Sequence, residues 1–134
     1  MREEPERASV SNRIRFFDHE GKRILLVDFS NCKAHEVEAI TRRVPDFVTT
    51  QPLQSLLILT DFAGASFNRD ALLAMKETAV FDKPFVKKSA LIGTGSLPRE
   101  FHEDMKSFSR RELPIFSSRK EALKWLVDDS AAIQ

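Results

Sequence analysis

The sequence predicts an α/β domain with an open, mainly parallel five-stranded sheet, an N-terminal antiparallel hairpin strand and four helices. Two stretches, SLLILTDF and KSALIGTG, are apolar on both alternating sets of positions, which is typical of strands covered on both faces. Each is followed by apolar residues spaced three and four apart, the period of a helix. Two β-rich runs around one glycine begin the pattern and predict a hairpin.

The first elements follow from RIRFFDHEGKRILLVDFS and AHEVEAITRRVPDFVTT. Strands are expected near 13–18 and 23–29, because Gly21 between them tolerates the positive φ of a tight turn. The next stretch predicts a helix with one apolar stripe, formed by Val37, Ile40, Val44, Phe47 and Val48. Pro45 predicts a kink or a restart of that helix near Val44, since proline lacks the backbone donor.

The second half alternates strands and helices. The strand SLLILTDF leads to a helix from Asn68 to Phe81, and KSALIGTG leads to a helix within SLPREFHEDMKSFSRR with Ser96 as its expected N-cap. LPIFSS predicts the last strand, and Ser118 with Glu121 predicts a capping box that opens the final helix. Inward positions of the second and third helices are predicted at Leu72, Met75, Ala79, Leu97, Phe101, Met105 and Phe108.

Side chains outside these stripes have simpler expected places. His102 is predicted on the solvent-exposed face of the third helix, and Trp125 is predicted to be half buried against the sheet. Residues 1–11 are expected to be a disordered N-terminal segment, and residues 12–130 to form a single domain.

The composition of the chain argues against a nucleic-acid-binding, a membrane-spanning or a secreted protein. The chain has 134 residues and balances 21 basic against 20 acidic residues, so it lacks the basic surface of a nucleic-acid-binding protein. No segment approaches the length of a membrane span, and the charged first residues differ from a secretory signal. A single cysteine, Cys32, cannot form an internal disulfide. We therefore expect a cytoplasmic protein with neither nucleic-acid partner nor integral membrane segment.

Sheet topology raises a question about the second face of the sheet. If each strand is added beside the last in one direction, right-handed crossovers place all crossover helices on one face. Apolar residues of the central strands would then form an uncovered patch, which usually meets a partner, a ligand or the chain's own ends. This argument predicts a homodimer.

Two segments carry a family resemblance: Lys88-Ser89-Ala90-Leu91-Ile92-Gly93 before the third helix, and Glu121-Ala122-Leu123-x-Trp125-Leu126 in the last one. With the hairpin-first layout, they resemble the SpoIIAA-like family of small bacterial proteins, which is related in fold to STAS and SEC14-like domains. The resemblance covers roughly residues 12–128. It implies an open sheet of sequential strands with helices alongside, and it implies little about activity.

The stretch LTDFAGASFNRD is where the resemblance bears on function. Asp61, Gly64, Ser66 and Phe67 resemble the first half of the segment that carries the phosphorylated serine in STAS-type anti-sigma-factor antagonists. The second half departs, because Arg69-Asp70-Ala71-Leu72 offers no hydroxyl and Ser66 is the nearby substitute. A phosphate on Ser66 would suit a helix start, yet Ser66 or Asn68 is also needed as an N-cap. Asp61 either contacts a ligand at the carboxyl end of its strand or accepts hydrogen bonds from the following turn.

Gly93-Thr94-Gly95-Ser96 forms the second candidate turn. It is similar to a phosphate loop, but Pro98 replaces the third glycine of the dinucleotide fingerprint and no lysine follows. The alternative is a strand-to-helix turn whose glycines adopt special backbone angles. The predicted binding residues are Asp61, Gly64, Ser66, Asn68, Gly93, Thr94 and Ser96.

No catalytic constellation is visible in the sequence. Cys32 and His35 lie three residues apart without an orienting third group, so a structural cysteine is expected. The three histidines lack metal-ligand spacing, and we expect neither metal nor cofactor.

Together these arguments predict a non-enzymatic regulatory or binding module that acts through protein–protein contacts at the turns after Asp61 and Gly93. The alternative is SEC14-like binding of a small lipophilic ligand or a membrane surface. In that alternative, Phe81, Phe85 and Val86 would form a mobile gate beside Lys83, Lys87 and Lys88.

Overall fold

A computed structural model describes residues 12–129, so the predicted disorder of residues 1–11 lies outside the described residues. The helices and strands with bounds in this range are β1 (Ile14–His19), β2 (Lys22–Asp28), α1 (Ala34–Val48), β3 (Leu56–Asp61), α2 (Arg69–Asp82), β4 (Val86–Ile92), α3 (Arg99–Ser109), β5 (Ile115–Phe116) and α4 (Arg119–Val127). Single 3-10 turns, Lys83–Phe85 and Thr94–Ser96, precede β4 and α3.

The sheet has the strand order β1-β2-β3-β4-β5, with β1 antiparallel to β2 and every other pair parallel. His19 pairs with Lys22 across the two-residue hairpin loop, where Glu20 and Gly21 both have positive φ. Two positive φ values match the right-handed twist of the flanking strands. The predicted five-stranded, mainly parallel sheet with an N-terminal hairpin and four helices is confirmed.

Both faces of the sheet are covered. One face packs against α1, α2 and α3, which follow the right-handed crossover rule. The other face packs against α4 through Ala122 and Leu126. The helix α4 follows the last strand and does not connect two parallel strands. The rule of right-handed crossovers therefore does not determine on which face of the sheet α4 lies. The second face could have been covered by a partner, a ligand or another part of the chain, and it is covered by α4. The apolar patch from which a homodimer was predicted is therefore buried.

The helix α1 is one element across Pro45, so of the predicted kink or restart near Val44 the restart is wrong and the kink stays a prediction. Pro45 cannot donate to the Thr41 carbonyl, and the helix nevertheless continues to Val48. The last turn closes through the Pro45 carbonyl, which accepts from the Thr49 amide at 3.0 Å.

The inward face of α3 differs from the prediction at two positions. Phe108 is 58% exposed, whereas His102 is buried and its Nε2 lies 2.9 Å from the Leu113 carbonyl oxygen. A carbonyl only accepts, so Nε2 carries the hydrogen of this bond. The buried positions of the helix are His102, Met105 and Ser109. The expectation that His102 faces water and Phe108 the core is therefore wrong.

The cap of α3 also differs. The helix begins at Arg99 after Pro98, and Ser96 makes no cap. Ser118 caps α4 as predicted, accepting from the Glu121 amide at 3.2 Å. The predicted capping box is not completed, because the Glu121 carboxylate accepts from the Ser117 hydroxyl instead. Trp125 is half buried, also as predicted.

Candidate functional site

Three turns meet at the carboxyl edge of the sheet: residues 29–33, 62–68 and 93–98, called here the carboxyl-edge turns. Backbone hydrogen bonds join the first two, because the Asn31 amide donates to the Ala63 carbonyl at 2.7 Å and the Ser66 amide to the Cys32 carbonyl at 2.9 Å. The Phe62 amide donates to Ile92 beside the third turn. All seven predicted binding residues lie in these turns or at their borders.

Asp61 at the end of β3 uses both carboxylate oxygens inside the domain. Oδ1 accepts from the Ala63 amide at 2.9 Å, which is the turn role considered from the sequence. Oδ2 lies 3.1 Å from Arg119 Nη2 at the start of α4. Asp61 is thus a structural link between the edge of the sheet and α4.

Two glycines allow the carboxyl-edge turns to approach closely. A Cβ on Gly64 would lie 2.4 Å from Asn31 Oδ1, and a Cβ on Gly93 would lie 2.5 Å from the Ala63 nitrogen. Both glycines have positive φ, at 71° and 66°. Their absent side chains and their backbone angles therefore serve the packing of turn against turn.

The remaining predicted residues divide into two groups. Asn68 caps α2 by accepting from the Ala71 amide at 2.8 Å, and Ser96 donates its hydroxyl to the Ala65 carbonyl at 2.6 Å. Ser66 is exposed and Thr94 is half exposed. Neither of their hydroxyls bonds to another described residue. Ser66 and Thr94 are therefore the members of the predicted set with side chains available to a partner.

Cys32 is buried, and burial raises the pKa of its thiol. A protonated, inaccessible thiol is a poor nucleophile, which agrees with a structural cysteine. Among residues 12–129, no group of three or more His, Cys, Asp or Glu side chains is placed to hold a metal ion.

A second feature was missed by sequence reasoning: a cavity of about 80 Å³ between the sheet and helices α1 to α3. Most of its wall is apolar, but Thr60 and Ser89 enter it from adjacent strands, and Asp82 and Arg111 line it as well. A signal for it exists in the sequence. Thr60 and Ser89 are polar residues at inward strand positions, and Asp82 continues the inward spacing of Met75 and Ala79.

Asp82 is the most unusual group of this cavity. Its side chain is 3% exposed, and its Oδ1 has no hydrogen-bond partner within the described chain. Burial raises the pKa of the Asp82 carboxyl to about 7, and the nearby Arg111 guanidinium opposes part of that rise. Burial lowers the pKa of Arg111, while Asp82 opposes that change. The Arg111 Nη1 donates to the Ala79 carbonyl at 3.2 Å.

Comparison with known proteins identifies the fold. No family model matches the chain, and no curated protein matches it. A solved structure does: an uncharacterised protein of the DUF3478 family from Shewanella loihica PV-4, described as having a SpoIIAA-like fold. It aligns with a TM-score of 0.65 over 84% of this chain and 91% of that chain, at 17% sequence identity. The chain has a SpoIIAA-like fold.

The resemblance noted in the sequence is thereby confirmed at the level of the fold. At this identity the SpoIIAA-like neighbour assigns no role to any side chain of this chain. No helix within residues 12–129 is both long and apolar enough to span a membrane. The function of the SpoIIAA-like domain has to be inferred from its own surface and cavity.

Proposed function

We propose that this SpoIIAA-like domain is a non-enzymatic regulatory or binding module that contacts a protein partner through the carboxyl-edge turns. The observation that carries the proposal is the mutual locking of these turns by Gly64, Gly93 and Ser96. A surface held in one conformation loses little conformational entropy when it binds. Asn31, Ser66 and Thr94 provide polar groups on this surface.

Charge-bearing substitutions of exposed side chains test the proposal. Ser66→Arg and Thr94→Arg should abolish capture of the partner from a native host lysate, because each places a long charged side chain on the contact surface. Ser107→Arg is the matched control, since Ser107 is exposed on α3 away from the turns. Capture that persists equally in all three variants would count against the proposal, as would no capture by the unmodified protein.

Homodimerisation stays a prediction, but it now rests on exposed apolar side chains of two helices and no longer on an uncovered face of the sheet. The apolar sheet face is covered by α4, but α2 and α3 carry exposed Leu73, Val80, Phe81 and Phe108. Light scattering at micromolar concentration distinguishes a dimer from the 15.3 kDa monomer. A monomer would leave the exposed apolar side chains without a self-contact.

Binding of a lipophilic ligand remains the alternative. Phe81 is half exposed, and its ring centroid lies 6.5 Å from that of the partly buried Phe85. The mainly apolar wall of the cavity supports binding of a lipophilic molecule. Its volume of about 80 Å³ is nevertheless well below the roughly 150 Å³ of a cavity that binds benzene. An acyl chain would therefore require the segment from Phe81 to Val86 to move. Native mass spectrometry that detects no retained lipid would contradict this alternative.

A further inference from the structure

The cavity between the sheet and α1 to α3 contains polar groups with unmet hydrogen bonds. Asp82 Oδ1 is buried without a donor, and the Thr60 and Ser89 hydroxyls bond to no other described residue. A buried acceptor left unsatisfied destabilises the folded state, so native proteins usually give it a partner. Asp82 also lines the cavity of about 80 Å³, so a donor placed in the cavity would lie beside its carboxyl group.

The cavity adjoins a surface groove of about 250 Å³, because Ser89 and Arg111 line both. The groove lies where β5 pairs with only Leu91 and Ile92, which leaves the first half of β4 at the edge of the sheet. Its charged lining is one acidic residue against five basic ones: Glu112 against Lys83, Lys87, Lys88, Arg110 and Arg111. A groove lined mainly by one sign of charge concentrates small ions of the opposite sign.

We propose that this cavity and groove bind a small aliphatic hydroxy acid. Its carboxylate pairs with Arg111, its hydroxyl donates to the carboxyl group of Asp82, and its short hydrocarbon part contacts the apolar wall near Met75 and Leu91. A guanidinium is the side chain best shaped for a carboxylate. The hydroxyl supplies the donor that Asp82 lacks, and the small volume excludes a long chain.

Other ligand classes satisfy these groups less well. A primary amine would donate to Asp82 but would bring a second positive charge beside Arg111 and the basic groove. A simple alcohol would satisfy Asp82 and leave the guanidinium without an anion. A fatty acid would satisfy Arg111 but would offer no donor to the Asp82 carboxyl group, and its chain would exceed the cavity. The hydroxy acid alone among these meets both groups.

The test is an NMR titration of the ¹⁵N-labelled full chain with lactate, 3-hydroxybutyrate and 4-hydroxybutyrate at millimolar concentrations. At least one should give saturable shifts of the Ser89, Asp82 and Arg111 amides. Butyrate and butan-2-ol, which lack one of the two groups, should bind about tenfold more weakly or worse, because each loses a charge-assisted bond. Failure of all three hydroxy acids overturns the proposal, as do equal shifts with butyrate.

Variants locate the site. Arg111→Gln and Asp82→Leu should each weaken binding by about tenfold or more, whereas Arg42→Gln on the exposed face of α1 should leave it unchanged. Should Asp82→Leu fail to fold, the comparison of hydroxy acid with butyrate on the unmodified protein decides. Unchanged binding in Arg111→Gln would overturn the assignment. The carboxyl-edge turns are untouched by these changes, so partner capture through Ser66 and Thr94 stands or falls separately.

Discussion

Asp61 Oδ2 and Arg119 Nη2 lie 3.1 Å apart and join residues that are 58 positions apart in the chain. Asp61 ends β3 on the carboxyl edge, and Arg119 is the first residue of α4 on the second face of the sheet. The side chain of Asp61 is 13% exposed, compared with 44% for Arg119. The pair therefore connects the carboxyl-edge turns to the helix that covers the second face.

The two partners should contribute unequally to stability. Asp61→Ala loses both the Ala63 hydrogen bond and the ion pair, so we expect the free energy of unfolding to fall by about 2–3 kcal/mol. Arg119→Ala loses only a partly exposed ion pair and should cost about 1 kcal/mol or less. Urea unfolding measures both values. Equal losses in the two variants would mean that Asp61 stabilises the protein through its ion pair with Arg119 and not through its hydrogen bond in the turn.

Gly93→Ala should lower stability by more than about 2 kcal/mol, because it combines a positive φ with a Cβ 2.5 Å from the Ala63 nitrogen. Two other glycines separate these causes. Gly21 has φ 79° and open space around it, so Gly21→Ala should cost about 1 kcal/mol from backbone strain alone. Gly95 has neither constraint, and Gly95→Ala should change stability by less than about 0.5 kcal/mol. Thermal unfolding that ranks the three differently would contradict the close approach of the turns.

Asp82 should make stability depend on pH. Its pKa is about 7 in the folded protein against an ordinary value of 3.8, so the folded state holds the proton more tightly. The resulting stabilisation is fully present below the unfolded pKa and is lost as pH rises through 7. Between pH 5 and pH 8 the unmodified protein should lose about 2–3 kcal/mol that Asp82→Asn does not lose. Urea unfolding of both proteins across this range is the measurement, and parallel curves would exclude the shift.

Lys88 should report on the C-terminal end of α4. Its Nζ donates to the carbonyl oxygens of Trp125 and Asp128 at 2.8 and 2.9 Å and lies 4.8 Å from the Trp125 ring centroid. Lys88→Met should therefore cost about 1–2 kcal/mol and change the fluorescence of this single tryptophan. Its matched control is Lys87→Met, on an exposed neighbouring side chain, which should do neither. An unchanged emission spectrum in Lys88→Met would contradict the contact.

Much of the fold could be predicted because it depends on local pattern. Nearly continuous apolar runs identified β3 and β4, and Asn68 and Ser118 marked two helix starts by cap chemistry. The misplacement of Phe108 and His102 has a different origin. Periodicity ranks residues by hydrophobicity, but the Leu113 carbonyl selects His102 for the inward face, and that carbonyl belongs to a segment eleven residues away.

The candidate site divides in the same way. Asp61, Gly64 and Gly93 could be predicted as site residues from the sequence, because they are acidic or small residues that follow directly after predicted buried strands. The sequence did not indicate that Gly93 contacts Ala63 or that Asp82 and Arg111 line one cavity. Each of these pairs is formed by separate elements whose relative position is set by sheet order and helix packing.

By itself the sequence determined the strands, the helices, the hairpin and the one face that right-handed crossovers must cover, since these follow from side-chain period and backbone chirality. Tertiary structure alone decided that α4 covers the second face, because no handedness rule constrains a helix after the last strand. It also decided that Asp82 Oδ1 is buried without a donor among residues 12–129, because that depends on how the sheet and helices α1 to α3 pack together around one cavity.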